Sequence, residues 1–275
     1  MTEAFHLEIT DQEFRRIVTY VKSRYGIDLT QKRTLIVGRL ENYLTRGNFD
    51  SYSAYMDIVE GNPQGKEAAE LINALTTNHT YFMRESDQFD FLKSHVLPRL
   101  RTQCNSTKDI RIWCAASSTG EEPYTLEMIL RDYFKLVEGE WDTSLLATDV
   151  STKVLETAKR GRYHKDQLDN IPSVYRKCYF RKVSVEEYEV TQDIKSRVIF
   201  KQFNLMDPIP FRGKFNVVFL RNVMIYFDDI TKQRLIRRIY DHMETGGFLF
   251  LGTTEALDRS RINFRYVRPS VYQKV

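Results

Sequence analysis

The feature that most constrains the fold is the alternation of short apolar runs and helix-length segments after residue 100. The apolar runs have the length and composition of buried strands: IRIWC, SLLATD, VIFKQFN, FNVVFL and GFLFLG. Helices are expected between most of them, at 122–135, 152–159 and 231–243. This alternation is typical of a mostly parallel sheet that helices cover on both faces. The closing run SVYQKV predicts a last strand.

Two other parts of the chain depart from this pattern. The first 80 residues show helical periodicity only, and the expected helices are 11–26, 29–47, 51–60 and 66–75. Residues 162–198 are rich in Tyr, Val, Arg and Lys and predict an insertion with a small antiparallel sheet. We therefore expect an N-terminal helical domain at 1–80 and an α/β domain at 81–275 that carries the insertion.

Composition argues against several classes of protein. No apolar run approaches the length that crosses a bilayer, and the first ten residues lack the basic start and apolar stretch of a signal peptide. Three widely spaced cysteines and five histidines without metal-ligand spacing argue against disulfides and metal sites. The net charge of +4 is mild, and no basic patch with interleaved aromatics is present. We expect a cytoplasmic protein that binds neither metal nor nucleic acid.

The loop after the first predicted strand, WCAASSTGEEPYT (113–125), indicates the kind of ligand. Ligands of open α/β sheets bind at the carboxyl ends of the strands, and a dinucleotide fold needs glycines there to approach a pyrophosphate. This loop has one glycine, Gly120, followed by Glu121 and Glu122. Each carboxylate would repel a phosphate by on the order of a few kcal/mol. A cationic ligand without phosphate, such as S-adenosylmethionine, fits better. The alternative is an ordinary helix start, where acidic residues are common.

Polar residues also follow the ends of later strands. Asp149 ends SLLATD, where a carboxylate suits a ribose diol. Asn204 and Leu205 end VIFKQFNL and suit the edge and the face of an adenine. RNVMIYFD (221–228) is polar where a buried strand would continue apolar. Each of these could be an ordinary turn or cap residue. Their common position at one edge of one predicted sheet favours a ligand site.

These motifs resemble the CheR-type chemotaxis receptor methyltransferases. The resemblance rests on NALTTNHTYFMRES, WCAASSTGEEPYT, LLATDVSTKVLETAKRGRY, FKQFNLMDP and FLRNVMIYFD, in the same order and with similar spacing. It implies a Rossmann-like methyltransferase sheet that uses S-adenosylmethionine and releases S-adenosylhomocysteine. It also implies a protein-glutamate O-methyltransferase whose partner is the cytoplasmic helical bundle of methyl-accepting chemoreceptors.

The resemblance implies the site residue by residue. The cofactor-binding residues would be Asn78, Thr80, Arg84, Glu122, Asp149, Asn204, Leu205, Arg221 and Asn222. The catalytic residues, near the transferred methyl group, would be Arg84 and Tyr226. A glutamate side chain is already ionised at neutral pH, so the reaction needs no general base. Holding the reactants in line can supply roughly 7–11 kcal/mol.

Other functions stay open at this point. A methylase that acts on a nucleic-acid base often carries an Asp/Asn-Pro-Pro-Tyr/Phe turn, where this chain has Arg-Asn-Val-Met. A regulatory scaffold would bind S-adenosylmethionine without turnover. The presence of every polar site position argues against a scaffold, but only a turnover assay excludes it.

One surface feature of the helical domain bears on receptor docking. Lys32, Arg39 and Arg46 recur every seven residues in the second predicted helix and would form one stripe. A cationic stripe suits an acidic helical bundle, although basic residues on a helix flank are usually just solvated.

The insertion bears on receptor docking as well. In some members of the family it captures a peptide at the receptor's C-terminus, and these members have a glycine-bearing loop there. Residues 179–200 contain no glycine, and Glu186, Glu187 and Glu189 are typical of a protected edge strand. We therefore expect a monomer that methylates receptors without a C-terminal pentapeptide.

Overall fold

The computed structural model describes residues 7–258 and 260–275. Residues 1–6, which belong to the stretch examined for a signal peptide, lie outside this part. The N-terminal part is helical, as the periodicity predicts. Its helices are α1 (Asp11–Tyr25), α2 (Arg33–Arg46), α3 (Tyr52–Gly61) and α4 (Lys66–Leu75).

Local sequence explains where α1 begins and ends. Thr10 and Glu13 form a capping box, in which each side chain accepts a hydrogen bond from the other residue's main-chain N–H. Gly26 ends the helix with a φ of 75°, a conformation that costs other residues more. Ile17, Leu40 and Leu71 are fully buried in the apolar cluster that joins the helices.

The described residues after α4 form a seven-stranded and a three-stranded sheet. The strands are β1 (Ile112–Cys114), β2 (Leu145–Asp149), β3 (Arg162–His164), β4 (Phe180–Lys182), β5 (Glu187–Val190), β6 (Val198–Gln202), β7 (Phe215–Leu220), β8 (Met243–Leu251), β9 (Phe264–Arg268) and β10 (Val271–Lys274). The helices are α5 (Ser86–Phe91), α6 (Leu97–Gln103), α7 (Glu121–Phe134), α8 (Thr152–Arg160), α9 (Ser173–Tyr179), α10 (Gln192–Lys195) and α11 (Asp229–Asp241). A π-helical segment, Leu92–Val96, joins α5 to α6.

The large sheet has the order β6-β2-β1-β7-β8-β10-β9. Its first five strands are parallel, and β10 is antiparallel to β8 and β9. The predicted fold class, an α/β sheet with a helical N-terminal part and an antiparallel insertion, is confirmed. The sequence did not predict β9, and the domain boundary at residue 80 stays a prediction.

The strand order creates a crevice at the carboxyl ends of β1 and β7. The chain runs from β1 outward through β2 to β6 and then returns to β7 on the other side of β1. Such a reversal is where ligands bind in open α/β sheets. The crevice therefore lies where the polar residues of the sequence analysis were expected.

The structure of the insertion corrects the prediction that its glutamates protect an edge strand. Its strand order is β3-β5-β4, so β5 is the central strand, and Glu187 and Glu189, which lie on it, are not part of a protected edge. The Glu189 side chain is 9% exposed and forms ion pairs with Arg162, Arg181 and Lys195 at 3.0–3.3 Å. Its carboxylate holds the insertion together, because it joins both neighbouring strands to α10.

The cationic stripe on α2 also needs correction. Arg39 donates hydrogen bonds to the main-chain oxygens of Ala74 and Thr76, at 3.2 and 2.8 Å. It therefore satisfies the C-terminal end of α4 instead of standing free on the surface. Lys32 and Arg46 are exposed, and Lys32 precedes the helix. Within the described residues, no helix combines the length and apolarity that crossing a membrane requires.

Candidate functional site

A cavity of about 280 Å³ opens at the carboxyl ends of β1, β2, β6 and β7. Every predicted site residue lines it: Asn78, Thr80, Arg84, Glu122, Asp149, Asn204, Leu205, Arg221, Asn222 and Tyr226. The helical part closes one side with Tyr25, Ile27, Asp28, Lys32 and Leu75. The sequence did not predict this wall. The structure thus brings the predicted residues together in one place.

The loop between β1 and α7 is held to β2 by Asp149. The Asp149 carboxylate accepts hydrogen bonds from the main-chain N–H groups of Ser118 and Ser151, at 2.9 and 3.0 Å. Burial raises the pKa of Asp149 above its ordinary value. Two N–H donors leave lone pairs of the carboxylate unused. Asp149 therefore shapes the loop and still has acceptor capacity for a ligand.

Gly120 is required at the turn into α7. Its φ is 102°, and a Cβ there would lie 2.8 Å from the Tyr163 hydroxyl. The missing side chain at Gly120 therefore lets the turn pack closely against Tyr163 of the insertion. The glycine does not serve to bring the main chain close to a phosphate.

The two carboxylates after Gly120 have different environments. Glu122 lines the cavity, where Arg221 donates to it at 2.6 Å and the Cys114 thiol donates at 3.0 Å. Glu121 is buried away from the cavity and accepts a hydrogen bond from the Thr119 hydroxyl at 2.7 Å. Burial raises the pKa of Glu121. Of these two carboxylates, Glu122 is therefore the one that a ligand in the cavity can contact.

Arg221 links the sheet to the connector between the helical part and α5. Its side chain is 1% exposed and pairs with Glu122 at 2.6 Å and with Glu85 at 3.3 Å. It also donates to the main-chain oxygen of Arg84 and lies over the Phe89 ring at 5.2 Å. A buried guanidinium between two carboxylates fixes the positions of all three groups.

The connector, residues 76–85, forms the rim of the cavity. The Arg84 guanidinium donates to the main-chain oxygen of His79 at 2.9 Å and lies over the Tyr81 ring at 5.7 Å. The main-chain oxygen of Asn78 accepts a hydrogen bond from the Ser118 hydroxyl at 2.9 Å. The connector is thereby joined to the β1–α7 loop, and Arg84 keeps further N–H groups for a ligand.

Asn204 joins the end of β6 to the helical part. Its amide nitrogen donates to the main-chain oxygen of Arg24 at 2.8 Å, and its amide oxygen accepts from the N–H of Met206 at 3.0 Å. One N–H and one lone pair of the amide remain for a ligand. Leu205 beside it is buried in the cavity wall.

The helical part also braces the segment that carries Tyr226. The Asp28 N–H donates to the Tyr226 main-chain oxygen at 2.9 Å, and Ile27 forms a β-bridge with Phe227. Lys22 pairs with Asp28 and Asp228 at 3.0 and 3.1 Å. Hydrogen bonds, first to Thr30 and then to Lys22, lower the pKa of Asp28 to about 2. At neutral pH the Asp28 carboxylate and the Lys22 ammonium are therefore both charged.

The sequence did not predict two glutamates beside the cavity, half-buried Glu85 and buried Glu255. Glu85 accepts hydrogen bonds from Asn222 and Thr253, and Glu255 accepts them from the main-chain N–H groups of Asn222, Met224 and Ile225. Glu85 lies within the motif NALTTNHTYFMRES, directly after the predicted site residue Arg84. That position is the sequence signal that could have identified it. Glu255 lies in the loop after β8, where the sequence shows no helical or strand periodicity that would mark it. Within the described residues, no cluster of three or more His, Cys, Asp or Glu could hold a metal.

Comparisons with known proteins agree with this geometry. The family described as "CheR methyltransferase, SAM binding domain" matches residues 78–272, and "CheR methyltransferase, all-alpha domain" matches residues 12–76. The chemotaxis protein methyltransferase of Borreliella burgdorferi is 36% identical, over 98% of this chain and 96% of the relative.

Similar proteins from other bacteria match over comparable lengths. The chemotaxis protein methyltransferase of Escherichia coli is 34% identical over 99% of this chain and 93% of its own length. Chemotaxis protein methyltransferase 2 of Vibrio cholerae is 32% identical over 91% and 88%. Because the matches span both parts of the chain, it belongs to the CheR family of chemotaxis methyltransferases, whose cofactor is S-adenosylmethionine.

Proposed function

We propose that the protein methylates glutamate side chains on the cytoplasmic helical bundle of chemoreceptors and so forms glutamyl methyl esters. The observation that carries the proposal is the cavity in which Arg84 and Tyr226 share a wall with Glu122 and Asp149. Groups suited to a cationic cofactor and groups suited to an anionic acceptor thus meet in one space.

The cavity residues fit the cofactor. S-adenosylmethionine supplies an electrophilic methyl group whose leaving group is a neutral thioether. Asp149 is buried with unused lone pairs, which a ribose diol would satisfy. Glu122 offers charge to an ammonium group, and Leu205 beside Asn204 offers an apolar surface to a purine. The Nε group of Arg221 has no partner among the described residues and is a further donor.

The acceptor is argued from the protonation chemistry of the cavity. An acceptor that carries a proton would need a general base, but Glu122 is paired with Arg221 and Asp149 accepts two N–H groups. A glutamate carboxylate needs no base at neutral pH. Arg84 and Lys32 line the same cavity and favour an anion. The chain's part is therefore to hold the acceptor in line with the methyl group.

Tyr226 is proposed to orient the acceptor carboxylate through its hydroxyl. That hydroxyl makes no hydrogen bond within the described residues, so it is available to donate. Tyr226→Phe is expected to lower kcat about 10- to 100-fold, the worth of a hydrogen bond to a charged group. The affinity for S-adenosylhomocysteine, measured by calorimetry, should not change. Arg84→Ala should lower turnover too.

His79 provides the control for this prediction. His79 is exposed and lines the same cavity, and its imidazole is a further candidate for a base. His79→Asn is expected to keep kcat. Full kcat in Tyr226→Phe would remove the hydroxyl from the mechanism, and a large loss in His79→Asn would point to an acceptor that must be deprotonated.

The chemical nature of the product distinguishes the proposed function from its alternatives. The protein would be incubated with S-adenosylmethionine labelled in the methyl group and with membranes that carry chemoreceptors. Label on the receptor that alkali releases as methanol indicates a carboxyl ester. Label that resists alkali indicates another acceptor, and absence of label indicates a scaffold without turnover.

We also propose that methylation does not depend on a receptor C-terminal pentapeptide. The turn between β4 and β5 is short: the Ser184 hydroxyl accepts hydrogen bonds from the N–H groups of Glu186 and Glu187 at 3.3 and 3.1 Å. Residues 162–198 contain no glycine that would let a peptide main chain come close. Docking then falls to other surfaces, among them exposed Lys32 and Arg46.

Titration of a receptor C-terminal pentapeptide into the protein is expected to give no heat beyond dilution. The same sample should give heat with S-adenosylhomocysteine, which shows that the protein is active for binding. Saturable binding of the pentapeptide at micromolar concentration would contradict this part of the proposal.

A further inference from the structure

Glu255 is a buried carboxylate close to the site that the proposed reaction leaves unused. It lies just after β8 and is 6% exposed. Its Oε1 accepts the main-chain N–H groups of Met224 and Ile225 at 2.7 and 3.2 Å. Its Oε2 accepts those of Asn222 and Gly252 at 2.8 and 2.7 Å. All these partners are main-chain groups, and most belong to one loop.

That loop, residues 222–226, carries two predicted site residues, Asn222 and Tyr226. Asn222 has a φ of 56°, a left-handed conformation that costs a non-glycine residue on the order of 1–3 kcal/mol. Such a conformation persists only when surrounding contacts enforce it. The bonds from Glu255 to both sides of Asn222 provide that enforcement.

Gly252 makes this arrangement sterically possible. A Cβ at this position would lie 2.9 Å from the Glu255 carboxylate and 2.9 Å from the Asn222 main-chain nitrogen. The chain after β8 therefore approaches the loop more closely than a side chain would allow.

The other contacts of the loop do not replace Glu255. The Asp28 N–H holds the main-chain oxygen of Tyr226, and Glu85 holds the side-chain amide of Asn222. Neither contacts the main-chain N–H groups of Asn222, Met224 and Ile225. Without Glu255 these three groups, which lie 2.7–3.2 Å from its carboxylate, would have no partner from this side.

We propose that Glu255 is a positioning residue for methyl transfer, because it sets the main-chain conformation that aims Tyr226 and Asn222 into the cavity. It acts through the loop and does not touch the reacting groups. The inference about turnover rests on the proposed function, whereas the inference about the loop does not.

Glu255→Gln is the sharpest substitution. Glutamine has the same shape, but its NH₂ group would face two main-chain N–H donors, whichever way the amide turns. The matched control is Glu13→Gln in α1. Glu13 is 7% exposed and likewise accepts hydrogen bonds from two main-chain N–H groups, those of Thr10 and Ser53, far from the loop in sequence.

Two measurements on the purified full-length variants test the inference. Amide hydrogen exchange should become faster at residues 222, 224, 225 and 252 in Glu255→Gln and stay unchanged there in Glu13→Gln. With receptor-bearing membranes, Glu255→Gln should lower kcat about 10- to 100-fold, the effect of leaving buried donors unsatisfied. Glu13→Gln should keep kcat at temperatures where both variants are folded.

The outcomes separate this inference from the proposed function. Unchanged exchange in the loop overturns it, as does a fall in kcat that is equal in the two variants. If the wild-type protein forms no methyl ester, the proposed function fails, and the exchange measurement still decides whether Glu255 holds the loop. If Glu255→Gln does not fold, Glu255→Asp keeps the charge but is one methylene shorter, so its carboxylate should not reach all four N–H groups. Faster exchange at residues 222, 224, 225 and 252 in Glu255→Asp supports the inference, whereas loop exchange as slow as in the wild type overturns it.

Discussion

Replacing Arg221 with methionine is expected to lower the free energy of unfolding by about 3–5 kcal/mol, the usual cost of removing one partner from a buried ion pair. The Arg221 side chain is 1% exposed and lies between Glu85 and Glu122, which are 12% and 14% exposed. Methionine fills a similar volume but leaves both carboxylates without a cation. Urea unfolding followed by circular dichroism measures the change.

Two further variants show whether the ion pairs are the cause. Arg237 on α11 is exposed, and Arg237→Met should change stability by less than about 0.5 kcal/mol. Adding Glu122→Gln to Arg221→Met should recover part of the loss, because it removes one of the uncompensated charges. A loss below about 1 kcal/mol in Arg221→Met would mean that these charges are hydrated and the pairs weak.

Asp149→Ala is expected to weaken S-adenosylhomocysteine binding about 10- to 100-fold, since a hydrogen bond to a charged group is worth roughly 1.5–3 kcal/mol. The substitution also frees the N–H groups of Ser118 and Ser151, so the β1–α7 loop should loosen. Asp149→Asn keeps one acceptor oxygen and should give an intermediate affinity. Calorimetric titration measures both, and unchanged affinity in Asp149→Ala would remove this residue from the site.

The parallel part of the sheet could be predicted because its signal is local. Runs such as FNVVFL have the composition of buried strands, and helix-length segments separate them. Strand β9 carries exposed residues and pairs only with β10, so no apolar run marks it. The order of strands in the insertion depends on pairing between distant residues. For that reason the prediction that Glu187 and Glu189 belong to an edge strand was wrong: both lie on the central strand.

The candidate site was predictable where motifs lie at strand ends. Its other wall was not, because Tyr25 and Asp28 reach the cavity only through packing of the helical part against the sheet. The spacing of Arg39 matches a helix stripe and therefore predicts a surface cation. The spacing cannot show that its guanidinium bonds to the end of α4. Glu255 contacts main-chain groups, which leave no signal in the sequence.

The measurement that tests the central claim most directly is the location of the transferred methyl groups. Receptor-bearing membranes would be incubated with the protein and S-adenosylmethionine deuterated in its methyl group, digested, and analysed by mass spectrometry before and after mild alkali. We predict deuterated methyl groups on glutamate side chains of the receptor's cytoplasmic helices, all removed by alkali and strongly reduced with Tyr226→Phe. Methyl groups on lysine, arginine or cysteine, or a receptor left unmodified, would contradict the account.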